Sequence, residues 1–372
     1  MVDLRAQFSA IEPEIRAAID QVLSTQQFVL GPQLAALETE IAGYCDVGSA
    51  AGVASGTDAL MIGLRACGVG PNDEVIVPTF TFVATAGAVS ALGARPVFAD
   101  IDPDTLNVSP DSVASKITGH TRAIVVVHFG GLPARMEALL QLAARHRLPL
   151  IEDNAQALGA TCSGRKTGSF GALAATSFYP SKNLGAYGDA GMIVTGSQEL
   201  AARIKSLRNH GLAAPNLSAE PGWNSRLDEL QAAILRVKLR HLDGWIERRR
   251  AVAALYDERL SGAAGVRLPQ PVAGYGHSYY LYTLRIAAAG NDPAERRNRV
   301  AGRLAEQQIA SAVFYPTPLH LQPLYASLGG RIGDLPAAES VANQVLSLPM
   351  YPEMTVNSVD RVTSAVLDAL AR

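Results

Sequence analysis

Apolar and polar residues along the chain fall into blocks with recognisable periods. Ser9–Thr25 carries Ile11, Ile15, Ile19 and Val22 on one helical face, and Gln33–Tyr44 predicts a second amphipathic helix. Next, Ser55-Gly56-Thr57-Asp58 precedes an apolar periodic run through Met61–Cys67, which predicts a helix starting at a small, capping sequence. Short Val/Ile-rich runs then predict strands at Glu74–Pro78, Arg95–Ile101, Ala123–Phe129 and Leu148–Asp153. Helical stretches separate them at Phe82–Leu92, Pro110–Ile117 and Met136–His146. Two further apolar runs, Ala172–Phe178 and Met192–Thr195, read as buried strands, and Glu199–Asn209 as a helix. Strands that barely alternate in polarity, interleaved with helices, predict an α/β fold with a mostly parallel sheet covered on both faces.

After Gly211 the pattern changes. Ala213–Gly222 is a Pro/Asn/Gly-rich loop, and Leu227–Leu260 reads as one long charged helix with a break near Gly244. Gly262–Gly276 is loop-like. Beyond it, Tyr279–Ile286, Pro293–Gln307, Ile309–Tyr315, Leu335–Leu346 and Val356–Leu370 read as strand, helix, strand, helix, helix. The expectation is a large α/β domain over residues 1–245 and a smaller C-terminal α+β domain over 246–372; a length of 372 residues points the same way.

Composition narrows the classes. A charged fraction of 18% against 48% hydrophobic residues is that of a globular protein, not a disordered one. A formal net charge of -2 offers no basic field for nucleic acid or an anionic membrane. Cys45, Cys67 and Cys162 are scattered and odd in number, against a disulfide framework or zinc site and for a reducing compartment. The N-terminus lacks the basic-then-apolar build of a signal peptide, so a cytoplasmic protein is expected. Val75–Ala94 is twenty residues without a charge, but Pro78, Gly87, Gly93 and its Thr/Ser residues suit a strand, loop and buried helix better than a membrane span.

Candidate chemistry lies in the loops, because ligands of open parallel sheets sit at the C-terminal strand edge. Lys182 stands in a Ser/Pro/Gly-rich loop between two buried strands. It is either an exposed loop lysine or a fixed, partly desolvated amine able to act as nucleophile or base. Glu152 and Asp153 close a strand. Adjacent carboxylates there can bind metal, act as general acid and base, or partner a cationic ring nitrogen. With no further ligand nearby in sequence, metal is the weakest of these, and successive strand residues face opposite ways, so one carboxylate is expected to face the site. The Ser55–Asp58 helix start presents free backbone N–H groups that suit an anion, or is a plain cap.

Eight motifs in order carry a resemblance. They are Ser55-Gly-Thr-Asp-Ala-Leu60, Pro78-Thr-Phe-Thr-Phe-Val-Ala-Thr85, Glu152-Asp-Asn-Ala-Gln-Ala157, Gly168-Ser-Phe-Gly171 and Ser177-Phe-Tyr-Pro-Ser-Lys-Asn-Leu-Gly185, followed by Gly222-Trp-Asn-Ser-Arg-Leu-Asp-Glu-Leu-Gln-Ala-Ala-Ile234, Tyr315-Pro-Thr-Pro-Leu-His-Leu-Gln-Pro323 and Val345-Leu-Ser-Leu-Pro349. Together they resemble the pyridoxal-phosphate (PLP)-dependent sugar aminotransferases of the DegT/DnrJ/StrS family, of fold type I, over essentially the whole chain.

The resemblance implies a role for each loop. Lys182 would form the Schiff base with PLP and move the substrate proton. Asp153 would pair with the pyridine nitrogen, and Gln156 would lie near the ring hydroxyl. Phe82 would stack on the ring, with Phe80 its rival and a core position its plain alternative. Gly56, Thr57, Asp58 and Ser177 would hold the phosphate, and Asn224 would reach the phosphate of the other subunit in a homodimer with composite sites. Tyr187, Tyr315 and His320 would border the substrate, His320 being equally readable as structural. Tyr279, Tyr280 and Tyr282 read as sheet and core residues.

The implied activity moves an amino group from an amino acid, L-glutamate being expected, to a nucleotide-linked keto sugar. Leu184-Gly-Ala-Tyr-Gly-Asp-Ala-Gly191 resembles the branch acting at C3, with a dTDP-linked 3-keto-6-deoxyhexose the first substrate and a UDP-linked 3-keto sugar acid the second. The rivals are a C4 aminotransferase of the same family, a deoxygenating dehydratase relative, against which Lys182 speaks, and a regulatory protein without catalysis.

Overall fold

The computed structural model describes residues 1–288 and 292–371. Seven strands make the main sheet: β1 (Ser49–Val53), β2 (Glu74–Pro78), β3 (Arg95–Ala99), β4 (Thr121–Val127), β5 (Leu150–Asp153), β6 (Leu173–Ser177) and β7 (Gly191–Thr195). Their order is β1-β7-β6-β5-β4-β2-β3. The run from β6 to β3 is parallel, and β7 is antiparallel to both neighbours. Both sheet faces are apolar, as the non-alternating strands require: Val75 and Val77 pack into one core, while Ile76 faces another with Ile124 and Val126.

Among the described residues, twelve α-helices surround the sheets: α1 (Leu4–Thr25), α2 (Pro32–Tyr44), α3 (Gly56–Ala66), α4 (Ala84–Ala91), α5 (Pro110–Lys116), α6 (Met136–His146), α7 (Gln198–Leu207), α8 (Glu229–Leu239), α9 (Leu242–Leu260), α10 (Glu295–Glu306), α11 (Pro336–Ala342) and α12 (Val356–Ala371). No helix among the described residues is long and apolar enough to cross a membrane. A second antiparallel sheet joins β8 (Val266–Arg267), β9 (Tyr282–Ile286) and β10 (Val345–Leu348). It shares a core with α9, α10 and α12 around Tyr256, Leu284 and Val366. Along α9 the packing partner changes: Ile246 belongs to a core beside β6 and β7, Val252 and later residues to that of the second sheet.

Three expectations are corrected and one strand is added. Strand β1 was not anticipated: its Ser-Ala-Ala-Gly-Val sequence is poor in β-formers, and small residues are needed because a Cβ on Gly52 would lie 2.6 Å from Leu34 Cδ1. The long helix breaks at Arg240–His241, not Gly244, which sits in the first turn of α9. Ile309–Tyr315 is no strand; Ala312 makes a single bridge to Ser347. Leu335–Leu346 divides into α11 and β10, because Val345–Leu348 pairs residue by residue with Tyr282–Arg285 and that pairing overrides the local helical period.

The topology places several loops at one edge. Asp153 registers with Val127 and Ala175, Ser177 with Gly191, and Gly191 with Val53. The segments that follow β1, β2, β5 and β6 therefore leave the sheet side by side.

Candidate active site

These segments enclose a cavity of about 520 Å³, lined in part by Gly56, Thr57, Phe82, Asp153, Gln156, Ser177, Lys182 and Tyr315. The start of α3 forms one wall. Ser55 caps the helix, its Oγ accepting from the Asp58 amide at 3.1 Å. The amides of Gly56 and Thr57 lie in the helix's unpaired first turn and have no hydrogen-bond acceptor among the described residues. Gly56 has to be glycine: a Cβ there would fall 2.6 Å from Ser177 Cβ. Two free amides and the half-buried Ser177 thus form a cradle of the kind that takes a phosphate. The Asp58 carboxylate is not in the cavity lining; it accepts from Ser225 Oγ at 2.6 Å, and that hydroxyl accepts from the Ala54 amide at 3.1 Å. Asp58 braces the turn into α3.

Asp153 forms the floor. It is 5% exposed; Oδ2 accepts from Thr85 Oγ1 at 2.8 Å and Oδ1 from the Ala155 amide at 3.2 Å. Burial raises its pKa above the ordinary carboxylate value, opposed by the hydrogen bonds from Thr85 and Ala155 and by the charge of Lys182. Glu152, one residue earlier, points away from the cavity. It accepts from His128 Nε2 at 3.0 Å and from the amides of Gly168, Phe170 and Gly171, each at 2.8 Å.

Lys182 is half-buried on the loop between β6 and β7. That loop folds back on itself, with Phe178 N–H donating to Ala190 O, Ala186 N–H to Phe178 O and Lys182 N–H to Tyr179 O, each at 2.8 Å. Lys182 Nζ stands 4.3 Å from the centre of the Tyr280 ring. Of the two phenylalanines after β2, Phe82 is 56% exposed at the cavity and Phe80 is 1% exposed in a core with Phe129. Gln156 is locked: its Oε1 accepts from the Gly130 amide at 2.7 Å and its Nε2 donates to Tyr315 Oη at 3.1 Å.

Besides Asp58, three candidates are not brought to this cavity. Tyr187 lies on the surface edge-to-face with Phe8, its ring centre 4.1 Å from Lys238 Nζ. His320 is buried between Thr79 Oγ1 at 2.7 Å and Glu339 Oε1 at 3.1 Å, which is the structural reading of that residue. Asn224 is exposed and bridges to Asn209. In the other direction, Tyr280 packs against the Phe80–Phe129 core as expected and is also a wall of the cavity, and Phe314, Thr81, Thr85 and Tyr179 join it. Thr85 stood inside a quoted motif; Tyr280 carried no local signal. No group of three or more His, Cys, Asp or Glu residues among the described residues could hold a metal ion.

Comparison with known proteins decides the family. A model of the DegT/DnrJ/EryC1/StrS aminotransferase family matches residues 9–367. The chain belongs to this family. It is an aminotransferase, and PLP is the cofactor that the family indicates. A "pleiotropic regulatory protein" of Geobacillus stearothermophilus is 47% identical, covering 95% of this chain and 94% of its own. A UDP-N-acetyl-3-dehydro-α-D-glucosamine 3-aminotransferase of Acidithiobacillus ferrooxidans is 45% identical over 98% of this chain and 96% of its own. A dTDP-3-amino-3,4,6-trideoxy-α-D-glucose transaminase of Streptomyces venezuelae is 45% identical over 98% and 94%. Among solved structures, S. venezuelae DesV in complex with a ketimine intermediate superposes with a TM-score of 0.95 at 45% identity, covering all of this chain and 98% of its own. The aminotransferase-family fold agrees with the type I expectation. The site fits the cofactor: a glycine-lined anion cradle, a buried carboxylate and a lysine converge on one cavity.

Proposed function

We propose that this DegT/DnrJ/EryC1/StrS aminotransferase transfers an amino group from L-glutamate to the C3 keto group of a nucleotide-linked sugar. A dTDP-linked 3-keto-6-deoxyhexose is the first choice, in line with the Streptomyces relative. A UDP-linked 3-keto sugar is the second reading, favoured by the Acidithiobacillus relative. The observation that carries the reaction is that Lys182, Asp153 and the open α3 amides share one cavity in a chain so similar to two sugar 3-aminotransferases.

When bound, PLP supplies an electron sink for the carbon that loses its proton. The residues do the rest. Gly56, Thr57 and Ser177 would hold the phosphate, and Asp58 keeps that helix start in place through Ser225. Asp153, held by Thr85 and Ala155, would favour the protonated ring nitrogen. Phe82 would help to hold the ring and exclude water, and Gln156 would lie near the ring hydroxyl. Lys182 Nζ would anchor the cofactor between turnovers and, when free, would carry the proton to and from the amine-bearing carbon. Tyr315 borders the substrate next to Gln156. Asn224, outside its own chain's cavity, is assigned to the phosphate of the other subunit in a homodimer with composite sites. The unpaired Cys45, Cys67 and Cys162 suit a cytoplasmic enzyme.

The test uses purified protein with PLP, L-glutamate and a panel of dTDP- and UDP-linked 3-keto and 4-keto sugars. Turnover is expected on 3-keto sugars, and Lys182→Ala should abolish both turnover and the visible absorbance of bound PLP. A Lys182→Ala variant with wild-type turnover refutes the assignment; turnover on 4-keto sugars alone moves the reaction to C4. A protein that neither binds PLP nor turns over would leave the regulatory role named for the Geobacillus relative.

A further inference from the structure

Helix α8 touches the lysine loop through two side chains. Lys238 is 0% exposed, and its Nζ donates to Gly185 O at 2.6 Å and stands 4.1 Å from the centre of the Tyr187 ring. Gln231 accepts from the Tyr187 amide at 2.8 Å and donates to the Tyr187 carbonyl at 3.3 Å. The helix is itself anchored at its start. Glu229, 1% exposed, accepts from the amides of Gly31 and Leu34 at 2.9 Å and of Gln33 at 2.8 Å, which fixes α8 to the N-terminus of α2.

Gly185 is the point where this frame meets the loop. A Cβ there would lie 2.3 Å from Pro180 O, so Gly185 packs directly on the residues just before Lys182. Holding the Gly185 carbonyl therefore holds both ends of the short segment that presents Lys182. Lys238 makes this contact as a buried cation without a carboxylate partner among the described residues, and burial pushes its pKa down to about 8. Such a group is a poor way to stabilise a fold: a well-packed apolar side chain of similar volume is often as good or better.

We propose that Lys238 is a positioning residue, which aims Lys182 Nζ into the cavity by holding Gly185 and Tyr187. The proposal rests on the reading of Lys182 given above. Its signature separates it from a structural role, because Lys238→Met should leave stability equal or raised while harming catalysis. Three measurements on the PLP-loaded protein and its cofactor-free form test it. In Lys238→Met the urea midpoint should stay at or above wild type. Hydrogen exchange at the Lys182 and Ala186 amides should quicken by about tenfold or more, with the sheet amides unchanged. Turnover should fall by on the order of 10- to 100-fold in kcat, with KM for both substrates within about twofold. Gln231→Ala, which leaves the buried cation in place, should shift loop exchange and kcat the same way by a smaller factor.

Wild-type loop exchange and kcat in Lys238→Met overturn the proposal. So does a fall in stability with exchange quickened evenly across the sheet, which would make Lys238 a structural residue. If wild-type protein transaminates no sugar, the proposed function falls, and the loop exchange of the cofactor-free variants still decides for or against Lys238.

Discussion

Glu152 and Asp153 are consecutive residues on β5, yet the two sides of the sheet treat them differently. Glu152 is 0% exposed and receives four N–H groups. The Ala134 amide donates to His128 Nδ1 at 3.0 Å, so the His128 ring proton sits on Nε2 and is donated to Glu152. Burial raises the Glu152 pKa, but His128 and the amides of Gly168 and Gly171 lower it by more, and the carboxyl ends below its ordinary value. Asp153 is buried at the floor of the cavity with two donors, and there burial wins and its pKa ends above the ordinary value. A buried charge whose hydrogen bonds are complete holds the protein together. One left short of donors beside a cavity is ready for a partner.

The largest effect should come from the completed side. Glu152→Ala strips the acceptor from a buried imidazole N–H and three amides, and should cost about 3–5 kcal/mol of unfolding free energy, read from urea titration. A loss below about 1 kcal/mol would mean that water serves those donors, and the contrast between the two carboxylates would dissolve. Asp153→Asn should do the reverse. It keeps shape and fold, with stability within about 1 kcal/mol of wild type, while kcat falls by on the order of 100- to 1,000-fold through loss of the charge proposed to partner the ring nitrogen. Near-wild-type kcat would move the ring partner elsewhere.

Acid titration of the cofactor-free protein sharpens the same contrast. Glu152 has its folded pKa below the reference value of 4.5, so its stabilisation is present above 4.5 and is lost as pH falls through the folded value. Asp153 has its folded pKa above the reference of 3.8, so the folded state holds that proton more tightly. Its contribution therefore falls as pH rises from 3.8 to the folded value, then stays flat. Glu152→Gln should flatten the acid-side loss, and Asp153→Asn should gain on wild type above the Asp153 value. Parallel profiles for the two variants would show that the pair does not titrate as the environments require.

The sheet body was legible because its strands are buried on both faces, so β2, β4 and β5 announce themselves by composition alone. The start of α3 was legible through capping chemistry, and Lys182 through its place between two apolar runs. What escaped depends on distant partners. Tyr280 reaches the cavity because Ser278 N–H and Leu281 N–H donate to Gly131 O and Gly130 O, each at 3.0 Å, a pairing between segments far apart in the chain. Its Tyr-Tyr sequence reads as core without that pairing. Strand β10 has a helical period and becomes a strand through β9. Lys238 sits in a helix rich in charge, where a lysine reads as solvent-facing; its burial comes from the loop that packs over it.

The smallest effect tests the setting of Asp153 itself. Thr85 Oγ1 donates to Asp153 Oδ2 and lies 3.1 Å from Thr81 Oγ1, so a hydroxyl pair orients one carboxylate oxygen. Thr85→Val preserves the side-chain shape and removes that donor, worth about 1 kcal/mol. The bond lowers the Asp153 pKa, so its loss should raise it further. The acid limb of the kcat/KM profile should move to higher pH, with kcat at neutral pH reduced by less than about tenfold. An unmoved limb alongside a reduced kcat would assign Thr85 to shaping the cavity, and would leave burial alone to set the proton affinity of Asp153.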